Sequence, residues 1–134
     1  MRNSSVTLAI CRIAIAFVWI YQGIFPKLLG PHPDEIAMGM AFGLTEQDAR
    51  LSSYASGAME IVFGLLVLWL YRMRWPYVVT AAAVVLFLFT AVYAPQWLYS
   101  AFNSTTLNLT VFALSIVALA EITRLESNNS SFSR

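Results

Sequence analysis

Arg12 and Glu60 stand inside long apolar runs of a 134-residue chain in which only 11% of residues are charged. A bare charge at the centre of a bilayer costs at least ~2.5–3.5 kcal/mol, so an ionisable residue within a span faces protein or water and marks a candidate site. Arginine in such a place can hold negative charge. Glutamate can exchange a proton or orient a partner. Helical spacing puts Arg12, Ala16, Trp19 and Gly23 on one stripe, and Ser53, Gly57, Glu60 and Gly64 on another. Small residues let membrane helices approach closely, so both charges lie on faces suited to packing together. At ~1.5 Å per residue their backbones are offset by roughly 8 Å along the helices, within reach of two long side chains. Lys27 can reach inward from the far end of the first run as a competing partner for Glu60. Asn103, Thr106 and Asn108 enter the last run from that same end.

Three uses of these groups stay open. An Arg–Glu pair can fix helix register, a few polar groups can receive a quinone or another small ligand, or an acid can serve a proton or ion path. A path asks for more acidic or histidine stations than Glu60 supplies. Arg12 can also carry its head toward the nearer membrane surface.

Other chemistries are set aside by residue type. Cys11 is the only cysteine, so there is neither a disulfide within the chain nor a CxxC redox pair. His32 is the only histidine, which rules out bis-histidine haem ligation within one chain; it reads as part of a solvated turn, not as a metal ligand. No glycine-rich phosphate loop and no zinc-ligand spacing occur, so neither a metal nor an intrinsic cofactor is expected. The serines lack the histidine–acid partners of a hydrolase. A net charge of +1 leaves no strongly basic surface for nucleic acid.

The elements that must position the candidates are helices. With 59% hydrophobic residues, the chain has room for about four spans of ~20 residues and for no separate soluble domain. Span one is expected over Val6–Phe25, as a retained span and not a cleaved leader, stopping at Pro26-Lys27. Span two is expected over Ser53–Tyr71, its helix starting near Thr45-Glu46-Gln47-Asp48, where an N-cap residue precedes acidic side chains. Span three follows Pro76 and reaches Tyr93; span four covers Thr106–Ala120. Tryptophan and tyrosine gather near these ends, as amphipathic rings do at the membrane interface. Pro31-His32-Pro33-Asp34-Glu35 starts a short helix carrying Ile36, Met38 and Met40 and closed by Gly43, which is expected to cover the outer mouth of the bundle. The expected fold is therefore all-α: a transmembrane four-helix bundle with a short outer interfacial helix between spans one and two. Residues 1–126 form a single four-span domain and 127–134 a polar disordered tail. Arg2, Arg72, Arg74, Arg124 and Arg134 fall on one side, and Lys27 and Arg50 on the other. The positive-inside rule then puts both termini in the cytoplasm.

In order along the chain come Arg12, Trp19-Ile20-Tyr21-Gln22-Gly23-Ile24-Phe25-Pro26-Lys27, Pro31-His32-Pro33-Asp34-Glu35, Gly57-Ala58-Met59-Glu60-Ile61-Val62-Phe63-Gly64 and Thr106-Leu107-Asn108. Together they resemble the DoxX-like family of small bacterial four-helix membrane proteins, over nearly the whole chain. The resemblance implies a multi-pass protein of the bacterial inner membrane, similar to the small membrane subunit of thiosulfate:quinone oxidoreductase. Arg12, Lys27, Glu60 and Asn108 match the family's polar positions. The expectation is an accessory subunit of a quinone-linked redox assembly, not catalytic alone, whose ligand site uses Arg12, Trp19, Gln22, Lys27, Glu60 and Asn108. With no dithiol, a redox role borrows a quinone or the cofactor of a redox partner protein. Further partners are the lipid bilayer and a second copy of the chain. The alternatives are a scaffold whose buried Arg and Glu serve helix packing, and a small transporter.

Overall fold

The computed structural model describes residues 5–91 and 104–131, and every regular element among them is a helix. They are α1 (Val6–Gly23), a wide π turn (Ile24–Leu28), α2 (Pro33–Ala41), α3 (Glu46–Trp69), α4 (Trp75–Ala91) and α5 (Ser104–Ser131). Val6–Leu28, Glu46–Trp69 and Thr106–Ser131 are long and apolar enough to cross a membrane, and Trp75–Leu88 is a shorter apolar helix. The fold is all-α, as expected, with the short helix in place between the first two spans.

Local chemistry sets the ends. Ser5 Oγ accepts from the Leu8 amide at 3.2 Å and opens α1. Thr45 Oγ1 accepts from the Asp48 amide at 3.2 Å and donates to its carboxylate at 2.6 Å, so α3 begins at the expected N-cap. His32 is the N-cap of α2, its Nδ1 accepting from the Asp34 amide at 3.3 Å. Gly43 closes that segment at φ +88°, and Gly30, before it, sits at φ +130°. Both are conformations that side chains resist.

Two boundaries differ from expectation. Span one does not stop at Pro26-Lys27 but runs through them to Leu28. Pro26 has no amide to donate, and the helix absorbs the gap by widening. Leu29 N–H then bonds the Ile24 carbonyl at 2.9 Å, five residues back. At the other end α5 stays helical to Ser131, past the start of the tail expected to be disordered at Ser127. Ser130 and Ser131 turn their hydroxyls onto the carbonyls of Ser127 and Asn128, spending them within the helix. The expected end of span three at Tyr93, and Asn103, lie outside the described residues.

The chain divides into two compact units: residues 1–15 with 67–134, and residues 16–66. In the first, α4 and α5 pack together. The core includes Leu8, Cys11, Ile15, Val67, Tyr77, Val84, Val111, Ala118 and Ile122. The buried hydroxyls of Thr80 and Ser115 return to the carbonyls of Pro76 and Val111, both at 2.8 Å. This consumes polar groups that lipid-depth packing cannot leave open.

In the second unit α1 and α3 approach through glycines. A Cβ at Gly57 would lie 2.8 Å from the Gly23 carbonyl oxygen and 2.8 Å from Lys27 Cβ, and one at Gly64 would meet Ile20 Cγ1 at 2.7 Å. α2 is seated as tightly, since a Cβ at Gly39 would come within 2.7 Å of Ala49 Cβ. Outward faces stay apolar: Val6, Ile10, Ile13, Phe17 and Tyr21 form an exposed stripe along α1, and Leu51, Met59, Val62, Leu65 and Trp69 are exposed on α3. In water such faces would be a liability; in a bilayer they are the lipid contact.

The glycine contact yields a direct test. Gly57→Ala should cost about 1–3 kcal/mol through forced separation of the helices, read as a lower unfolding midpoint in detergent. Ala55→Leu, at an exposed position of the same helix, should stay within ~0.5 kcal/mol. Equal midpoints for the two variants would contradict the close contact.

Candidate functional site

The π turn delivers Lys27 into the unit formed by residues 16–66. Its residue is only 8% exposed, and its ammonium lies between two carboxylates, donating to Glu60 Oε1 at 2.5 Å with Glu35 Oε2 at 3.8 Å. Each of the three comes from a different element: Lys27 from the turn after α1, Glu35 from the first turn of α2, and Glu60 from the middle of α3. Gly57 explains why Lys27 can enter, because a side chain there would collide with Lys27 Cβ and with Leu28. One cation thus faces two acids, and Glu60 Oε2 is buried with no hydrogen-bond partner. A buried acceptor left open costs about 1–3 kcal/mol, more when charged, so this oxygen is either a strain reservoir or a binding contact. Ser53 Oγ, two stripe positions toward the α3 start, is likewise buried without a partner.

Aromatic rings adjoin the acid. Phe63 is three residues beyond Glu60 on α3, hence its neighbour on the helix surface. Trp19 of α1 meets Phe63 edge-on, with ring centroids 5.1 Å apart and planes at 74°. Gln22, half-buried, follows Trp19 by three residues on α1. Convergent polar groups beside an aromatic wall are the usual make-up of a small-molecule pocket.

Of the two cations open to Glu60, the structure gives it Lys27. Arg12 belongs to the other unit, where its guanidinium carbon sits 4.0 Å from the centre of the Tyr71 ring. A cation held over an aromatic face in this way gains ~0.5–2 kcal/mol. Asn108 stands in the second turn of α5, also in that unit, and is half-buried. The six expected site residues therefore fall into two groups, Trp19, Gln22, Lys27 and Glu60 in one unit and Arg12 and Asn108 in the other.

Glu35 was legible only as a helix-start acid, and its reach back to Lys27 depends on the tight return of the chain from Leu29 to His32. His32 N–H bonds the Pro26 carbonyl at 2.8 Å, which folds α2 back toward the π turn. Burial pushes the Glu35 carboxyl above its ordinary range, opposed by the charges of Lys27 and His32. A raised folded value means that the protonated form is the one the fold favours. That contribution is fully present below the ordinary 4.5 and fades as pH rises through the raised value.

A family model described as the DoxX-like family matches residues 16–116. Searches among curated proteins and among solved structures give no significant match. The matched stretch takes in Trp19, the π turn with Lys27, Glu35, the Gly57–Glu60–Gly64 stripe and Asn108, and leaves Arg12 outside. With three-quarters of its length, the Lys27 cluster and the Gly57 helix contact inside that stretch, this chain belongs to the DoxX-like family.

Proposed function

We propose that this small multi-pass membrane protein is an accessory subunit of a quinone-linked redox assembly, and that it holds a hydroquinone head in the unit formed by residues 16–66. The observation that carries this reading is the buried, unpartnered Glu60 Oε2 beside the Lys27 ion pair. An acceptor in an apolar setting calls for a donor. A hydroquinone hydroxyl supplies one on a ring that suits the Trp19–Phe63 wall. In this reading Glu60 accepts the hydroxyl's hydrogen bond and is placed to take its proton. Lys27 fixes the carboxylate and steadies the charge, and Gln22 orients the ring through its amide. This chain's part is to bind, orient and move a proton. The two electrons and the second proton pass to a redox group on a partner protein.

A second reading is favoured by the position of the ion pair at the glycine contact. There Lys27 and Glu60 neutralise each other where α1 and α3 are closest, which suits a scaffold whose charges serve packing. Binding separates the two readings. A short-chain hydroquinone should bind the purified protein, and Glu60→Ala should weaken it about tenfold, the value of one charge-assisted hydrogen bond. Its dimethyl ether, which lacks the donor, should bind wild type and variant alike and so corrects for partition into detergent. Equal hydroquinone affinity in wild type and Glu60→Ala would leave the scaffold reading standing.

Orientation belongs to the same proposal: a bacterial inner membrane, both termini cytoplasmic, and the segment around His32 outside. The basic residues at 72, 74 and 124 support it by the positive-inside rule. Reporter fusions at residue 134 and beside His32 should report opposite sides, and a periplasmic C-terminus would overturn the arrangement.

Coupling within the cluster can be measured without a ligand. Lys27→Met and Glu60→Gln should each destabilise the protein in detergent. Their double-mutant cycle should show an interaction of about 1–3 kcal/mol. Strict additivity would mean that the pair contributes nothing as a pair.

A further inference from the structure

The acids of the chain are all accounted for, and two of the described arginines are left over. The seven acidic side chains all lie among the described residues. Asp34 lies at its helix start beside His32, Glu35 and Glu60 pair with Lys27, Glu46 with Arg50, Glu121 with Arg124 and Glu126 with Arg74, while Asp48 is bonded to Thr45. None lies within 4 Å of Arg12 or Arg72, and both of these half-buried guanidiniums gather on one ring. Arg12 Cζ is 4.0 Å and Arg72 Cζ 5.3 Å from the Tyr71 centroid, and Arg72 Nε donates to the Tyr71 hydroxyl at 2.9 Å. Tyr71 is itself pinned, since Tyr77, fully buried, donates its hydroxyl to the Tyr71 carbonyl at 2.8 Å. Arg12 Nε is buried with no hydrogen-bond partner.

We propose that Arg12 and Arg72, brought together on Tyr71, form a binding site for a phosphate oxyanion, with the phosphodiester of an anionic phospholipid as its occupant. Two cations within about 9 Å of each other share one Debye length at ~0.1 M salt and repel. A phosphate lying between them removes that repulsion and accepts from both guanidinium forks. The level in the membrane selects the source. Tyr71 and Arg72 lie in the short turn between the end of α3 at Trp69 and the start of α4 at Trp75, among aromatic residues of the kind that mark the headgroup region. Arg12 enters the span six residues after the start of α1 and ends its side chain on this turn, as a long cationic side chain does when it runs along an apolar wall to the interface. Arg74 and Arg124 are already neutralised by their own acids and are not part of the site.

The test uses the full-length protein purified in a neutral detergent, then supplied with phosphatidylglycerol, with phosphatidylcholine, or with millimolar inorganic phosphate. Phosphatidylglycerol should raise the unfolding midpoint and be retained through gel filtration in preference to phosphatidylcholine. Arg72→Gln should reduce that retention about fivefold, the usual worth of one basic residue against an anionic lipid surface. Arg74→Gln should leave it unchanged. Arg72 is on a turn, so its variant keeps the test open even if Arg12→Gln does not fold. A midpoint shift by inorganic phosphate equal to that by phosphatidylglycerol, lost in Arg72→Gln, would keep the oxyanion site and overturn the lipid as its source. Equal loss in Arg72→Gln and Arg74→Gln, or none in either, would overturn the site, because a diffuse positive surface does not distinguish the two.

Discussion

A bilayer offers charge no solvent, so every ionic group at its depth must find its counter-charge or a way out within the protein. Most of the organisation of this chain follows from that constraint. Lys27 and Glu60 meet it by pairing, and the pairing is possible only because Gly57 leaves room for the lysine stem and lets α1 approach α3. Arg12 meets it differently, by running its side chain out to the Tyr71 ring. The same demand shows in the small polar groups: Thr80 and Ser115 spend their hydroxyls on carbonyls of their own helices. The demand is not met at Glu60 Oε2 and Arg12 Nε, which are buried without a hydrogen-bond partner.

The π turn is what joins the ionic cluster to the backbone. Proline in a helix interior normally breaks or kinks it, and here the helix instead widens for Ile24–Leu28 and carries on. The widened turn holds a buried lysine and hands the chain to a helix that brings Glu35 back to it. Local irregularity and local charge therefore occur together. Such turns often coincide with functional positions, since an irregular backbone persists only where the surroundings hold it.

Much of this was legible in the residues alone. Apolar run length and the punctuation at Thr45 and Pro33 located the helices, and small-residue spacing identified the faces of α1 and α3 that meet. Lys27 as the rival for Glu60 came from its position at the end of a span. What periodicity could not supply was the path of the backbone after Pro26. A proline reads as a stop, because the pattern records which amide is missing and not whether a wider turn can do without it. Glu35 was hidden for the same reason, as its distance from Lys27 depends on the return at His32. The Arg12–Tyr71 contact was out of reach too: a cation–ring contact between residues 59 positions apart leaves no spacing signature. At the chain's end, serine-rich composition suggested disorder, whereas helical register continuing from Glu121 through Glu126 to Ser131 prevailed.

The segment from Gly30 to Gly43 carries a consequence for dynamics. It is bounded on both sides by left-handed glycines with open space around them. Between them α2 is tied down by the burial of Ile36, by Gly39 against Ala49 and by the long contact of Glu35 with Lys27. Two permissive joints let this segment open without the rest of the chain, at a free energy set by those three ties and below that of global unfolding. Its amide protons should exchange together and ahead of those of α1 and α3. Because Glu35 leaves with it, each opening briefly turns Lys27 from a cation shared by two carboxylates into the partner of Glu60 alone. The local charge balance of the cluster is thereby set by the breathing of a nine-residue helix.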